Sequence, residues 1–141
     1  MAFKLVGGFP ENFTMSMPVT AGTAITVGSV LAISGNVVAK ATGSSTIHTI
    51  VGVAAESIDT AASSILVIPV NDTQIWEADC TNNTAANQLF EGAILTDELT
   101  LANTSSEVAG PTAIFLPMAL VGAPATKKVQ GQFIRLKSTS T

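Results

Sequence analysis

The chain has 141 residues, of which 47% are hydrophobic and only 11% charged, with a net charge of −4. A chain of this length can bury roughly 68–70% of its extended surface, so a core that needs neither disulfide nor metal is expected and intrinsic disorder is excluded. Its charged content lies well below the roughly 25% of an average soluble domain, and so neutral and hydroxyl-rich a surface points to assembly rather than to a free monomer.

Residues 1–10 are apolar but broken by Gly7-Gly8 and Pro10. They do not form a signal-peptide core, and we expect an extended N-terminal arm over 1–10 ahead of a single compact β domain over 11–141. From there the periodicity is that of strands. Phe13, Met15 and Met17 alternate with Thr14 and Ser16, Ile25 and Val27 flank Thr26, and short β-branched runs follow at 30–33, 37–38, 50–53 and 65–70. Ser34-Gly35-Asn36 predicts a tight hairpin and Gly43-Ser44-Ser45 a looser loop. Further strands are expected at 75–79, 94–95, 99–101, 114–116, 120–121 and 129–136. Only residues 84–90 read as helical, for one or two turns, with Thr81 or Asn82 as cap and Gly92 as stop. The fold class is all-β, a small barrel or sandwich with at most one short helix. Its expected core comprises Val30, Leu31, Ile33, Val51, Val53, Leu66, Ile68, Ile94, Leu120 and Phe133. Trp76 is expected either in that core or as a subunit-interface anchor.

The longest apolar runs contain Pro and fall short of the ~20 residues that span a bilayer, so no membrane role is expected. Cys80 is the single cysteine. It has no intrachain partner, fits a reducing compartment and reads as a small buried side chain. Asn12, Asn71, Asn82 and Asn103 head Asn-x-Ser/Thr triplets, ordinary in a chain so rich in Asn and Thr. Charge is segregated along the sequence: residues 41–126 hold nine acids and no Lys or Arg, whereas Lys127, Lys128, Arg135 and Lys137 close the chain without an acid. An acidic middle argues against nucleic acid, which is held through many cationic phosphate contacts.

Catalytic patterns are thin. His48 is the sole histidine, no G-x-S-x-G elbow accompanies it, and one His with one Cys is too few for zinc. Asp72 and Asp97-Glu98 lack the spacing of a calcium loop, and Glu77 with Asp79 has no support as a glycosidase pair. No cofactor, metal site or enzyme activity is expected. A weak internal repeat relates 11–70 to 71–137: Gly28 matches Gly92, 64 residues on, and Gly52 matches Gly122, 70 residues on. Units that short would share one core.

The run Thr20-Ala21-Gly22-Thr23-Ala24-Ile25-Thr26-Val27-Gly28-Ser29-Val30-Leu31, the hairpin at Gly35-Asn36, the strand Val51-Gly52-Val53-Ala54 and the closing strand over 65–70 resemble the β-tulip domain of tailed-phage head decoration, or cement, proteins of the lambda type. Val121-Gly122-Ala123 followed by Lys127-Lys128-Val129-Gln130-Gly131-Gln132-Phe133 is similar to a second round of the same grammar. The resemblance implies a non-enzymatic homotrimer, made in the host cytoplasm. It would clamp neighbouring major capsid protein subunits on the outside of an icosahedral head. On that reading Phe3, Lys4, Leu5 and Val6 are contact candidates, the arm adding to a coat strand edge while Phe3 and Leu5 fill pockets, the alternative being an arm that is frayed or packed on its own domain. Lys127 and Lys128, with Arg135 and Lys137, would face the coat and leave the acidic middle toward solvent. A carbohydrate-binding or adhesion sandwich is the alternative, weakened by the single Trp and the absence of Tyr.

Overall fold

The computed structural model describes residues 3–8, 13–71, 73–102, 112–122 and 126–134. Its strands are β1 (Phe3–Gly8), β2 (Met15–Pro18), β3 (Val30–Ser34), β4 (Val37–Lys40), β5 (Ile50–Ala54), β6 (Ser64–Pro69), β7 (Gln74–Asp79), β8 (Ile94–Asp97), β9 (Thr100–Ala102), β10 (Phe115–Leu120) and β11 (Lys128–Phe133). The expected helix is a single 3-10 turn, Ala86–Gln88. Its first N–H partner is not Thr81 or Asn82: the Ala85 N–H donates to Oε1 of Gln88 while the Gln88 N–H donates to the Ala85 carbonyl. The fold is all-β, as the strand periodicity requires.

Three antiparallel sheets form, in the orders β2-β6-β5-β3-β4, β1-β7-β11-β10 and β8-β9. No closed barrel is present among the described residues. The β3–β4 turn holds Gly35 at φ +69° while Asn36 stays at negative φ, the backbone signature of a type II′ hairpin. Two predicted runs, 114–116 and 120–121, are one strand, β10. Pro117 interrupts its apolar pattern, but β10 is an edge strand with a bulge between Pro117 and Ala119, where a residue without an N–H is tolerated. The run around Ile25 makes only an isolated bridge to Ile58.

The two halves of the chain are wired alike. In the first, β2 pairs with β6, β6 with β5, β5 with β3 and β3 with β4. In the second, β7 pairs with β11, β11 with β10, and β8 with β9, while an Ala93–Phe115 bridge joins β10 to the start of β8. In each half the residue after the first strand then bridges in parallel to the last strand, Val19 to Val38 and Cys80 to Leu101. Loop hydrogen bonds repeat too. The N–H of Val19 donates to Ser63 and that of Cys80 to Lys127, Gly28 to Ala54 and Phe90 to Pro117, Val70 to Val51 and Ile134 to Ile114. These pairings equate Leu31 with Ala93 and Gly52 with Phe115. They do not equate Gly28 with Gly92, or Gly52 with Gly122. The glycines mislead because each answers a local demand. Gly52 has no room for a Cβ against the Ile68 carbonyl and the Val67 side chain, whereas Gly122 sits beyond β10 at φ +75°.

Two apolar clusters result. The smaller lies within the first half, around Val19, Ile25, Leu31, Val38, Ala54, Ile65 and Val67. The larger gathers Val30, Ile50, Val53 and Val70 from the first half with Trp76, Leu95, Leu101, Phe115, Val129 and Phe133 from the second, and with Phe3. One aromatic from each strand of the four-stranded sheet meets there: Phe3, Trp76, Phe115 and Phe133 have ring centroids 5.2–5.9 Å apart in the contacting pairs, within the range of favourable edge and tilted packing. The Trp76 indole N–H donates to Oε1 of Gln74, which also accepts from the Asn71 N–H, while Nε2 of Gln74 donates to the Pro69 carbonyl. This buried amide is thereby satisfied.

Among the expected core residues, Val30, Leu31, Val53 and Phe133 are buried, and Val51, Ile68, Ile94 and Leu120 are half-buried. Ile33 and Leu66 are instead exposed, at 50% and 40%. The β3–β5 ladder ends at Ala32, so no strand covers Ile33 from that side. In β6, Ile65 and Val67 take the inner face and alternation turns Leu66 outward.

Candidate functional site

The N-terminal segment is not a free arm. Phe3–Gly8 pairs antiparallel with β7. Phe3 is buried in the aromatic cluster, with its N–H donating to the Gly28 carbonyl, and Leu5 packs against the same core. Phe3 is therefore unavailable for a pocket on a coat protein, which corrects the contact expected of it, and Leu5, half-buried, is partly taken up by the chain's own core. Lys4 and Val6 remain exposed. Trp76 is fully buried within the chain, so it is a core anchor and offers nothing to a neighbouring subunit.

Among the described residues, the strand ladders bring basic side chains against the acidic middle of the chain. Nζ of Lys128 donates to Oδ1 of Asp79 at 2.5 Å across the β7–β11 ladder, and that bond raises the Lys128 ammonium above its ordinary value. Both side chains are more than a third exposed, so the pair adds about 0–1 kcal/mol. It does remove Lys128 from any basic patch. Lys4 stands opposite Glu77 in the β1–β7 register. Lys127 is exposed, while Arg135 and Lys137 lie outside the described residues.

Cys80 follows β7 and borders an open, shallow depression lined also by Asp79, Val121, Gly122, Thr126, Lys127 and Lys128. Burial pushes its thiol from an ordinary 9.0 up to about 12, with the Asp79 charge adding to the rise and Lys128 opposing it. The thiolate is the nucleophile, so native protein is expected to resist iodoacetamide at pH 8 and to be alkylated once unfolded. A thiol whose folded value is raised favours the native state in full below about pH 9, and this contribution fades as pH climbs toward 12.

The remaining chemistry-bearing side chains do not converge. His48 is exposed in a turn. Oδ1 of Asp97 accepts the Leu99 N–H and fixes a turn. Asp79, paired with Lys128, faces the same side of β7 as Glu77. Asp72 lies outside the described residues, among which no group of three or more His, Cys, Asp and Glu side chains is placed to hold a metal.

Apolar side chains exposed to solvent form the more distinctive surface. Phe13 is 50% exposed and Met15 45%, at and before β2, and Leu66 lies on the neighbouring strand. Phe90, at 60%, is the most exposed of the large apolar side chains among the described residues, and it has φ +64°. Sequence reasoning passed over Phe90, yet the duplicated wiring explains its backbone: it occupies the place of Gly28, which has φ +90°, and makes the equivalent hydrogen bond. Left-handed backbone costs a non-glycine residue on the order of 1–2 kcal/mol, and glycine is the residue that avoids that cost. Phe90→Gly is therefore expected to leave the denaturation midpoint nearly unchanged, strain relief offsetting added chain entropy. Phe90→Val is expected to lower stability by about 1 kcal/mol or more, since β-branched residues tolerate positive φ worst.

Comparison of the sequence with protein-family models and with curated proteins returned no match.

Proposed function

We propose that the chain is a structural virion protein that decorates and stabilises the outside of an icosahedral phage capsid by binding between major capsid protein subunits, as a homotrimer on the shell. The observation that carries this reading is the surface: a chain with 11% charged residues buries and satisfies its core yet leaves Phe13, Met15, Leu66 and Phe90 in solvent. Apolar side chains exposed on a charge-poor surface mark an area consumed in assembly. A homotrimer closes cyclically, so contact between copies does not generate open filaments. The β-tulip resemblance over the first half supplies the kind of assembly. Of the described contacts expected from that resemblance, Lys4, Val6 and Lys127 are exposed, and Lys128 keeps a partly exposed side chain paired with Asp79.

The test is co-sedimentation of the purified protein with expanded, undecorated heads of the virus that encodes it, alongside a glycan array. Saturable binding to heads and none to glycans supports decoration. Glycan binding without head binding overturns it in favour of a carbohydrate-binding module.

A further inference from the structure

The equivalence of the two halves breaks at the outer edge of the first strand in each. In the second half β1 occupies that edge of β7, with Phe3 opposite Ala78, Leu5 opposite Trp76 and Gly8 opposite Gln74. Beyond this stretch the same edge turns to β9 through the Cys80–Leu101 bridge. The corresponding edge in the first half belongs to residues 13–17, and beyond them the chain turns to β4 through the Val19–Val38 bridge. Among the described residues, β2 pairs with β6 alone, and no described strand takes the place that β1 fills.

The β2–β6 and β7–β11 registers align Met17 with Ala78, Met15 with Trp76 and Phe13 with Gln74. The three second-half residues are fully buried, whereas Phe13 and Met15 are half exposed and Met17 is only partly covered. Met15 and Met17 face the same side as Val67 and Ile65, so they form the uncovered rim of the smaller core. In the second half the same rim is closed by Phe3 and Leu5.

We infer that the outer edge of β2 is a docking site for an extended segment donated by a different protein. The segment adds antiparallel to residues 13–17 as β1 does to β7, with an aromatic residue opposite Met17 and an aliphatic one two positions on, opposite Met15. Backbone hydrogen bonds would provide affinity and the two apolar side chains selectivity. A second copy of this chain is the poorer donor. Each chain has one β1 segment for two such edges, and that segment is already seated with Phe3 1% exposed, so lending it would empty one site to fill another. The inference rests on strand pairing within the chain and stands apart from the capsid reading.

The probe is the acetylated and amidated peptide Ala-Phe-Lys-Leu-Val-Gly-Gly, titrated into the full chain and followed by amide NMR and hydrogen exchange. Saturable shifts are expected at residues 13–17 and in β6, with exchange at 13–17 slowed about tenfold or more, a gain of about 1.4 kcal/mol in local protection. Met15→Lys is expected to weaken binding by about the same factor while leaving the Trp76 emission unchanged, which shows that the fold persists. A peptide with Ser in place of Phe and Leu is expected not to bind. Shifts confined to β7, or no shifts at all, would overturn the inference. So would protection of 13–17 that grows with protein concentration in the absence of peptide, because that would make a second copy the occupant.

Discussion

Trp76→Ala is expected to lower unfolding stability by about 3–5 kcal/mol, a large share of the 5–15 kcal/mol typical of a domain (roughly, for chains of this class). The indole is wholly buried and meets Phe133 edge-on at 5.6 Å. Its register partners are Leu5 on β1 and Gly131 on β11. Gly131 has no side chain with which to fill the space left by the indole, and a Cβ there would collide with the Leu116 carbonyl. The site therefore cannot collapse cheaply, which puts the loss toward the upper end of that range. The variant also takes the indole donor from Oε1 of Gln74, which keeps the Asn71 N–H. Chemical denaturation followed by circular dichroism measures the loss.

Val53→Asp is expected to be more severe and to leave no folded domain at neutral pH. Val53 is 1% exposed and sits in the larger core, opposite Val30 on one side and Ile68 on the other. Those neighbours offer no hydrogen-bond donor to a carboxylate, and an unpaired buried charge or neutral acid costs several kcal/mol (on the order of the whole stability). Val53→Ala, which removes methyl groups without adding a polar one, is expected to fold with a loss of about 1–3 kcal/mol. A folded Val53→Asp protein with native near-ultraviolet dichroism would contradict the packing described for β5.

Strand identity was readable because β-branched runs bounded by Gly, Ser and Asn leave few other solutions. Which face of a strand turns inward was not always readable. Residues 65–70 are apolar without interruption, so no alternation marks Ile65 and Val67 as inner and Leu66 as outer. The N-terminal segment read as an extended arm open to a coat strand because its partner, β7, lies far along the chain and long-range pairing leaves no local trace. Its Phe-x-Leu alternation was a usable sign of an apolar face, but not of whose core it would cover. The repeat was visible in outline and wrong in register at the glycines, because equivalent positions exchange size between partners: Trp76 lies across from Gly131 in one half, Met15 across from Val67 in the other. Apolar volume is kept in each pair while residue identity is lost. For the same reason Phe90 went unnoticed, since only the backbone shows that it stands where the first half has Gly28.

Of the charged contacts expected at the chain end, the pairing of Lys128 was hidden for a physical reason as well. Sequence charge runs are one-dimensional, and the β7–β11 ladder brings Lys128 against Asp79.

Electron cryomicroscopy of expanded heads from the encoding virus, with and without this protein, tests the proposed function most directly. Ordered density on the outer surface at the local three-fold positions, present only in decorated heads and fitted by three copies of the all-β chain, is the predicted result. Heads that look identical with and without the protein, or density confined to the tail or the head interior, would contradict it.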